Sequence, residues 1–195
     1  MKKTVLLLAL LPTYSFAQES LEGAYAGIEL GVLNSVELEV QGTSADADID
    51  NFPVNINAGY DIALAPNVTI GFEAEYRWLG EGKYKEGGQT ILKVSGQGLS
   101  FNLRPKFHIK NSPIYVGLLA GIGQYRTEAT VYTGTGNESD TSTDTGWQYG
   151  AELGYRFQPN MVATIGYRAV KIDLDSDVDF TATHSGFNLG VQYRF

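Results

Sequence analysis

The chain has 195 residues, 43% apolar and 12% aromatic, with 14 Lys and Arg against 22 Asp and Glu and a formal charge of −8. It has no Cys, which excludes a disulfide framework and a thiolate metal site. The acidic balance argues against nucleic acid, whose phosphates require Lys and Arg. No apolar stretch approaches the roughly 18 to 20 residues of a membrane-spanning helix.

Met1-Lys2-Lys3 followed by Thr4 to Leu11 is a charged start and a short apolar run. Pro12 breaks it and Ser15-Phe16-Ala17 supplies small residues for a signal peptidase, so residues 1–17 read as a cleaved signal peptide. Residues 18–195 then form one exported domain, and losing Lys2 and Lys3 takes the charge from −8 to −10.

The first strand sets Ala26, Ile28, Leu30 and Val32 against Gly27, Glu29 and Gly31, an alternation of period 2. Asn34 to Asn51, with Glu37, Glu39, Asp46, Asp48 and Asp50, reads as an outward loop. The second strand opposes Val54, Ile56, Ala58 and Tyr60 to Asn55, Asn57, Gly59 and Asp61; Ala65-Pro66-Asn67 is a short turn. The third runs Val68, Ile70, Phe72, Ala74, Tyr76 and Trp78 against Thr69, Gly71, Glu73, Glu75 and Arg77, and Gly80 to Gln89 forms a second long connection.

In the fourth strand Leu99, Phe101, Leu103, Pro105 and Phe107 oppose Ser100, Asn102, Arg104 and Lys106. Upstream, Leu92 and Val94 share the even face. Either Gly96 or Gly98 marks a bulge, or this half projects above a bilayer and reverses its polarity. Pro105 is compatible with pairing only near a strand end. After a turn at His108 to Pro113, Ile114, Val116, Leu118, Ala120 and Ile122 face away from Tyr115, Gly117, Leu119, Gly121 and Gly123. Thr127 to Thr145 reads as a third long loop. The sixth strand sets Trp147, Tyr149, Ala151, Leu153, Tyr155 and Phe157 against Gln148, Gly150, Glu152, Gly154 and Arg156. Gln158-Pro159-Asn160 turns into a seventh carrying Ala163, Ile165, Tyr167 and Ala169, and Lys171 to Thr183 is the fourth long connection. The chain ends on Phe187, Leu189, Val191, Tyr193 and Phe195, alternating with Asn188, Gly190, Gln192 and Arg194.

About eight strands joined alternately by long acidic connections and short turns follow the outer-membrane barrel rule. The expected fold is all-β, an eight-stranded antiparallel up-and-down transmembrane β-barrel. The pattern and the terminal strand resemble the small eight-stranded bacterial outer-membrane barrels, the superfamily of the OmpA transmembrane domain and OmpX. That resemblance implies a bacterial outer-membrane location, and contacts with outer-membrane lipid and lipopolysaccharide. It also implies that the barrel-assembly machinery reads Phe187, Leu189, Val191, Tyr193 and Phe195 as a terminal signature.

A soluble barrel also alternates, so the choice rests on which face fills the interior. An apolar interior would be overfilled and would leave glycine beside ions on the outer wall. The lumen therefore takes Glu29, Asp61, Glu73, Glu75 and Glu152 with Arg77, Arg104, Lys106, Arg156, Arg168 and Arg194, signs nearly balanced. Buried ions persist only when paired. The expected network comprises Glu29, Glu73, Glu75, Arg77, Arg104, Glu152, Arg156 and Arg168, and it closes a lumen just wide enough for side chains.

The expected role is structural or one of cell-surface interaction, by a monomer with no cofactor and no metal site. The rivals are a narrow porin-like channel and a lipid A-modifying enzyme. Catalysis is disfavoured because only His108 and His184 are available and the adjacent His184 and Ser185 point to opposite faces of a strand. Asp46, Asp48 and Asp50, and Asp173, Asp175, Asp177 and Asp179, lack the EF-hand pattern and read as solvated loop charge. Ile172, Leu174, Val178 and Phe180 give the last connection a sticky face, a candidate surface for a ligand at the acidic loops.

Overall fold

In the computed structural model the residues described are 21–40, 43–48, 52–86, 89–133, 136–174 and 180–195. The signal-peptide boundary after Ala17 lies outside them, as do Asp50, Asp175, Asp177, Val178 and Asp179. Among the described residues nine strands form: β1 (Gly23–Val40), β2 (Thr43–Asp48), β3 (Val54–Ala65), β4 (Val68–Glu86), β5 (Gln89–His108), β6 (Ile114–Thr133), β7 (Gly136–Gln158), β8 (Met161–Leu174) and β9 (Phe180–Arg194). No helix among them is long and apolar enough to cross a membrane.

The sheet order is β2-β1-β3-β4-β5-β6-β7-β8-β9, and β1 also pairs with β9, which closes the ring. Eight strands make the barrel wall. The ninth, β2, pairs with the upper half of β1 from Ser35↔Asp48 to Val40↔Thr43, while β3 pairs with the lower half from Gly23↔Asp61 to Leu30↔Val54. β2 is thus the upper part of the second barrel strand, set off from β3 by the segment containing Pro53, which has no N–H to give a ladder.

Alternation decides which side faces lipid. On β5, Phe101 is 65% exposed and Arg104 is 0% exposed. The same division holds around the ring: Ile28, Leu30, Ile56, Phe72, Leu118, Ile122, Leu153, Ile165 and Leu189 are exposed, and Glu29, Asn55, Glu73, Ser100, Gln148 and Asn188 are buried. A closed sheet with ions inside and hydrocarbon outside pairs its backbone groups within the ring rather than at a free edge, the condition for crossing a bilayer.

Four segments read as long loops from their polarity are largely strand. β6 and β7 pair without a register shift from Ile114↔Tyr155 to Thr133↔Gly136, which takes in Thr127 to Thr133 and Gly136 to Thr145. β4 and β5 continue to Glu86↔Gln89, β1 and β2 to Val40↔Thr43, and β8 and β9 to Leu174↔Phe180. Thr130, Val131, Tyr132, Thr141 and Thr143 suit a pleated ribbon with both faces wet, and such a ribbon shows no apolar alternation.

Of the two readings of the upper fourth strand, a bulge at Gly96 or Gly98 is not the one found: β5 pairs with β6 in one phase from Leu92 to His108, while against β4 the register shifts between Trp78 and Gly80, with Gly80 at φ 84°, and again between Tyr84 and Lys85, where Ile91 on β5 has no partner. Leu79 is the inserted residue and points inward, 2% exposed. Leu92 and Val94 belong to the lumen-side face because the interior itself turns apolar above the membrane. There Leu79, Tyr125, Val170 and Ile172 pack together. Pro105 pairs with Ile70 on β4, but the ladder to β6 skips from Leu103↔Ala120 to Lys106↔Gly117, since Pro105 offers no N–H on that side.

Candidate functional site

The lumen is built by polar residues from every wall strand. Arg104 on β5 is fully buried and ion-pairs with Glu73 on β4 and Glu152 on β7, with Glu29 on β1 at 3.9 Å. Arg168 on β8 pairs with Glu75 on β4 and lies 3.1 Å from Glu29. Arg77 Nε lies 3.0 Å from Glu75 Oε1. Nearer the short turns, Lys106 Nζ donates to both Asp61 oxygens at 2.8 and 2.9 Å, and Arg194 donates to Asp61 at 2.6 Å.

These are five carboxylates, Glu29, Asp61, Glu73, Glu75 and Glu152, and five cations, Arg77, Arg104, Lys106, Arg168 and Arg194. Their charges cancel, which keeps a desolvated network tolerable. Amides and phenols take up the remaining lone pairs. Asn55 donates to Glu29 at 3.0 Å and Asn102 to Glu73 at 2.9 Å. Tyr25 and Tyr115 donate to Glu73 and Glu152 at 3.1 and 3.0 Å, and Lys106 Nζ stands 4.3 Å from the centre of the Tyr25 ring. Gln148 donates to Ser100 at 2.8 Å and to Asn102 at 2.6 Å.

Lumen-facing glycines make room for these rings. A Cβ on Gly59 would stand 2.6 Å from Tyr25, and one on Gly154 or Gly98 would overlap Tyr115 or Tyr125. A gap beside Glu29, Glu152, Thr164, Arg168 and Asn188 measures about 10 Å³, the space of about one water.

The structure brings together Glu29, Glu73, Glu75, Arg77, Arg104, Glu152 and Arg168. Arg156 is half-buried near the short turns, its backbone N–H donating to Pro113 at 2.9 Å. The sequence-based network omits the Asp61, Lys106 and Arg194 cluster, although their place on the polar face was legible. It also omits Tyr25 and Tyr125, whose signal was their odd-numbered phase with Glu29 and with Tyr115. Phe187, Leu189, Val191, Tyr193 and Phe195 form the exposed face of β9, and the Tyr193 and Phe195 rings meet edge-on at 5.1 Å.

His184 and Ser185 are split by the wall. Ser185 lies 3.5 Å from Ser35 by their hydroxyls, while His184 is buried inside. His184 Nδ1 has no hydrogen-bond partner among the described residues. His108 Nε2 lies 3.2 Å from Thr69 Oγ1. Among the described residues no three His, Cys, Asp or Glu group as a metal site.

The family described as Outer membrane protein beta-barrel domain matches residues 4–195. No curated protein matches the chain. Among solved structures, Neisserial surface protein A shares 22% identity, with 89% of this chain and 97% of that one covered and a TM-score of 0.58. Ail, the attachment invasion locus protein of Yersinia pestis, shares 20% over 90% and 100%, with a TM-score of 0.50. The outer membrane protease OmpT of Escherichia coli shares 11% over 94% and 99%, with a TM-score of 0.52. At these identities the likeness is one of fold.

Proposed function

The chain belongs to the outer membrane protein beta-barrel domain family, and from that premise we propose that it is a closed, non-conducting barrel which holds its polar hairpins at the cell surface for structural or interaction roles. The observation that carries this reading is the pairing of buried Arg104 and Arg168 with carboxylates from β1, β4 and β7 across the lumen. An eight-stranded barrel has little interior beyond its side chains, and here they are cross-linked by charge. The apolar group of Leu79, Tyr125, Val170 and Ile172 forms a second stopper above the ions. The separation of His184 from Ser185 supports a non-enzymatic role, since a serine nucleophile needs its base within hydrogen-bond reach.

The exposed residues Glu128, Glu138, Asp140 and Thr143 make the risen hairpins the surface offered to the medium. Ail is named for attachment and invasion, and a surface-contact role for this chain is in keeping with that. The test is conductance of the refolded barrel in planar bilayers. Silent membranes are expected; regular single-channel steps that vanish on Arg168→Glu would replace this reading with a narrow channel.

A further inference from the structure

We propose that Arg126 and Lys171, on the outer wall of the β6 to β8 sector, bind the phosphates of an anionic outer-leaflet lipid. Most cations of this barrel are spoken for. Those of the lumen pair with carboxylates, and Lys83 and Lys93 share Glu81 at 2.9 and 2.6 Å. Arg126 and Lys171 have no carboxylate partner among the described residues, and both belong to the outward face.

Their level follows from the ladders. Trp78 pairs with Gln97, and Gln97 with Arg126, so Arg126 shares a rung with one exposed tryptophan. Lys171 lies directly opposite the other, Trp147, whose ring stacks on Tyr149 at 5.3 Å. Tryptophan and tyrosine settle at the membrane–water boundary, so both cations stand at headgroup depth. Below them the wall is apolar, with Ile122, Tyr149 and Tyr167 exposed. Farther out on the same outward face come acids, Glu128 two residues beyond Arg126 and Asp173 two beyond Lys171. On β6 and β8 alike the order from the bilayer is apolar, cation, acid. A cation at that depth gains from lipid phosphate, while the acid clears the headgroups.

Trp147 opposite both Ile122 and Lys171 fixes the spacing. Arg126 lies four residues above Ile122, so strand geometry puts the two Cα atoms roughly 16 Å apart. That separation suits two phosphates on one large headgroup better than a single phosphate held by both. The inference rests on the membrane orientation of the barrel and is independent of whether the lumen conducts.

The test is native mass spectrometry of the full refolded chain in detergent, incubated with bisphosphorylated lipid A, with the same lipid dephosphorylated, and with phosphatidylcholine. Retention of the bisphosphorylated lipid alone is expected, reduced about thirtyfold in Arg126→Gln/Lys171→Gln, roughly fivefold per cation. Lys83→Gln/Lys93→Gln should retain it as the wild type does, and Arg126→Lys should keep most of it. Unboiled gel mobility should show every variant folded. Equal retention of all three lipids, undiminished binding in the double variant, or displacement by inorganic phosphate at the lipid's own concentration would overturn the proposal.

Discussion

Arg168 on β8 lies 3.1 Å from Glu29 on β1, a contact between residues 139 positions apart whose strands are not neighbours in the ring. β9 separates them, so this ion pair spans a chord of the barrel interior. Arg104 makes the equivalent span from β5 to Glu152 on β7, past β6. Such chords stiffen the cross-section in a way that rung-by-rung pairing does not.

Removing one centre of this network should therefore be expensive. Arg104→Met strands Glu73 and Glu152 in a dry interior, and the loss expected is about 3–5 kcal/mol. Urea titration of the barrel in lipid vesicles would measure it. Adding Glu73→Gln and Glu152→Gln should recover much of the deficit, because neutral amides carry a smaller desolvation cost than orphaned carboxylates.

Ring-for-glycine complementarity gives a second expectation. Gly154→Ala forces the Tyr115 ring off its site and should cost about 1–3 kcal/mol. Gly136→Ala, whose new methyl would meet nothing within 4 Å, should be close to neutral. Gly154→Ala combined with Tyr115→Leu should lose less than the sum of the two single changes, a coupling that a double-mutant cycle reads directly.

The fold was legible where one face was dry. Phe101 beside Asn102, or Ile165 beside Gly166, announces its own side, and the short turns at Pro66-Asn67 and Pro159-Asn160 fix the direction of travel. Above the membrane that signal disappears. A ribbon such as Glu128 to Tyr132 paired with Asn137 to Thr141 is wet on both faces, and its Thr and Asp content reads as loop. The lumen was legible by parity, but parity cannot say which ions meet. Lys106 and Arg194 have the same phase as Arg104 and Arg168 respectively by parity alone, yet they converge on Asp61 because their strands bring their short-turn ends together.

The lipid-facing assignment makes a prediction of its own. Ile165→Arg places a charge among exposed apolar residues of β8 and should cost about 2–4 kcal/mol near the bilayer midplane. At Thr143, on the outward face of the risen β7 ribbon, the same change should cost almost nothing. The fraction with folded mobility on unboiled gels, across vesicles of increasing urea, compares the two.

The terminal residues bear on assembly. Phe195→Ala should leave spontaneous refolding into detergent intact, since Phe195 lies beyond the end of β9 and is 77% exposed. Insertion assisted by purified barrel-assembly machinery should slow. Equal assisted rates for the two proteins would remove Phe195 from any recognition signature.

The inserted Leu79 has a consequence for deletions along β4. Elsewhere in a strand, losing one residue exchanges inside for outside for everything that follows. Here Trp78 already pairs with Gln97 and Gly80 with Gly96, so excising Leu79 would join two rungs that are consecutive on the facing strand. Odd and even would keep their sides, Glu81 would stay out and Gly82 in, and the injury would be confined to the space a leucine had occupied. One codon in this strand is dispensable to the wall and indispensable to its stopper.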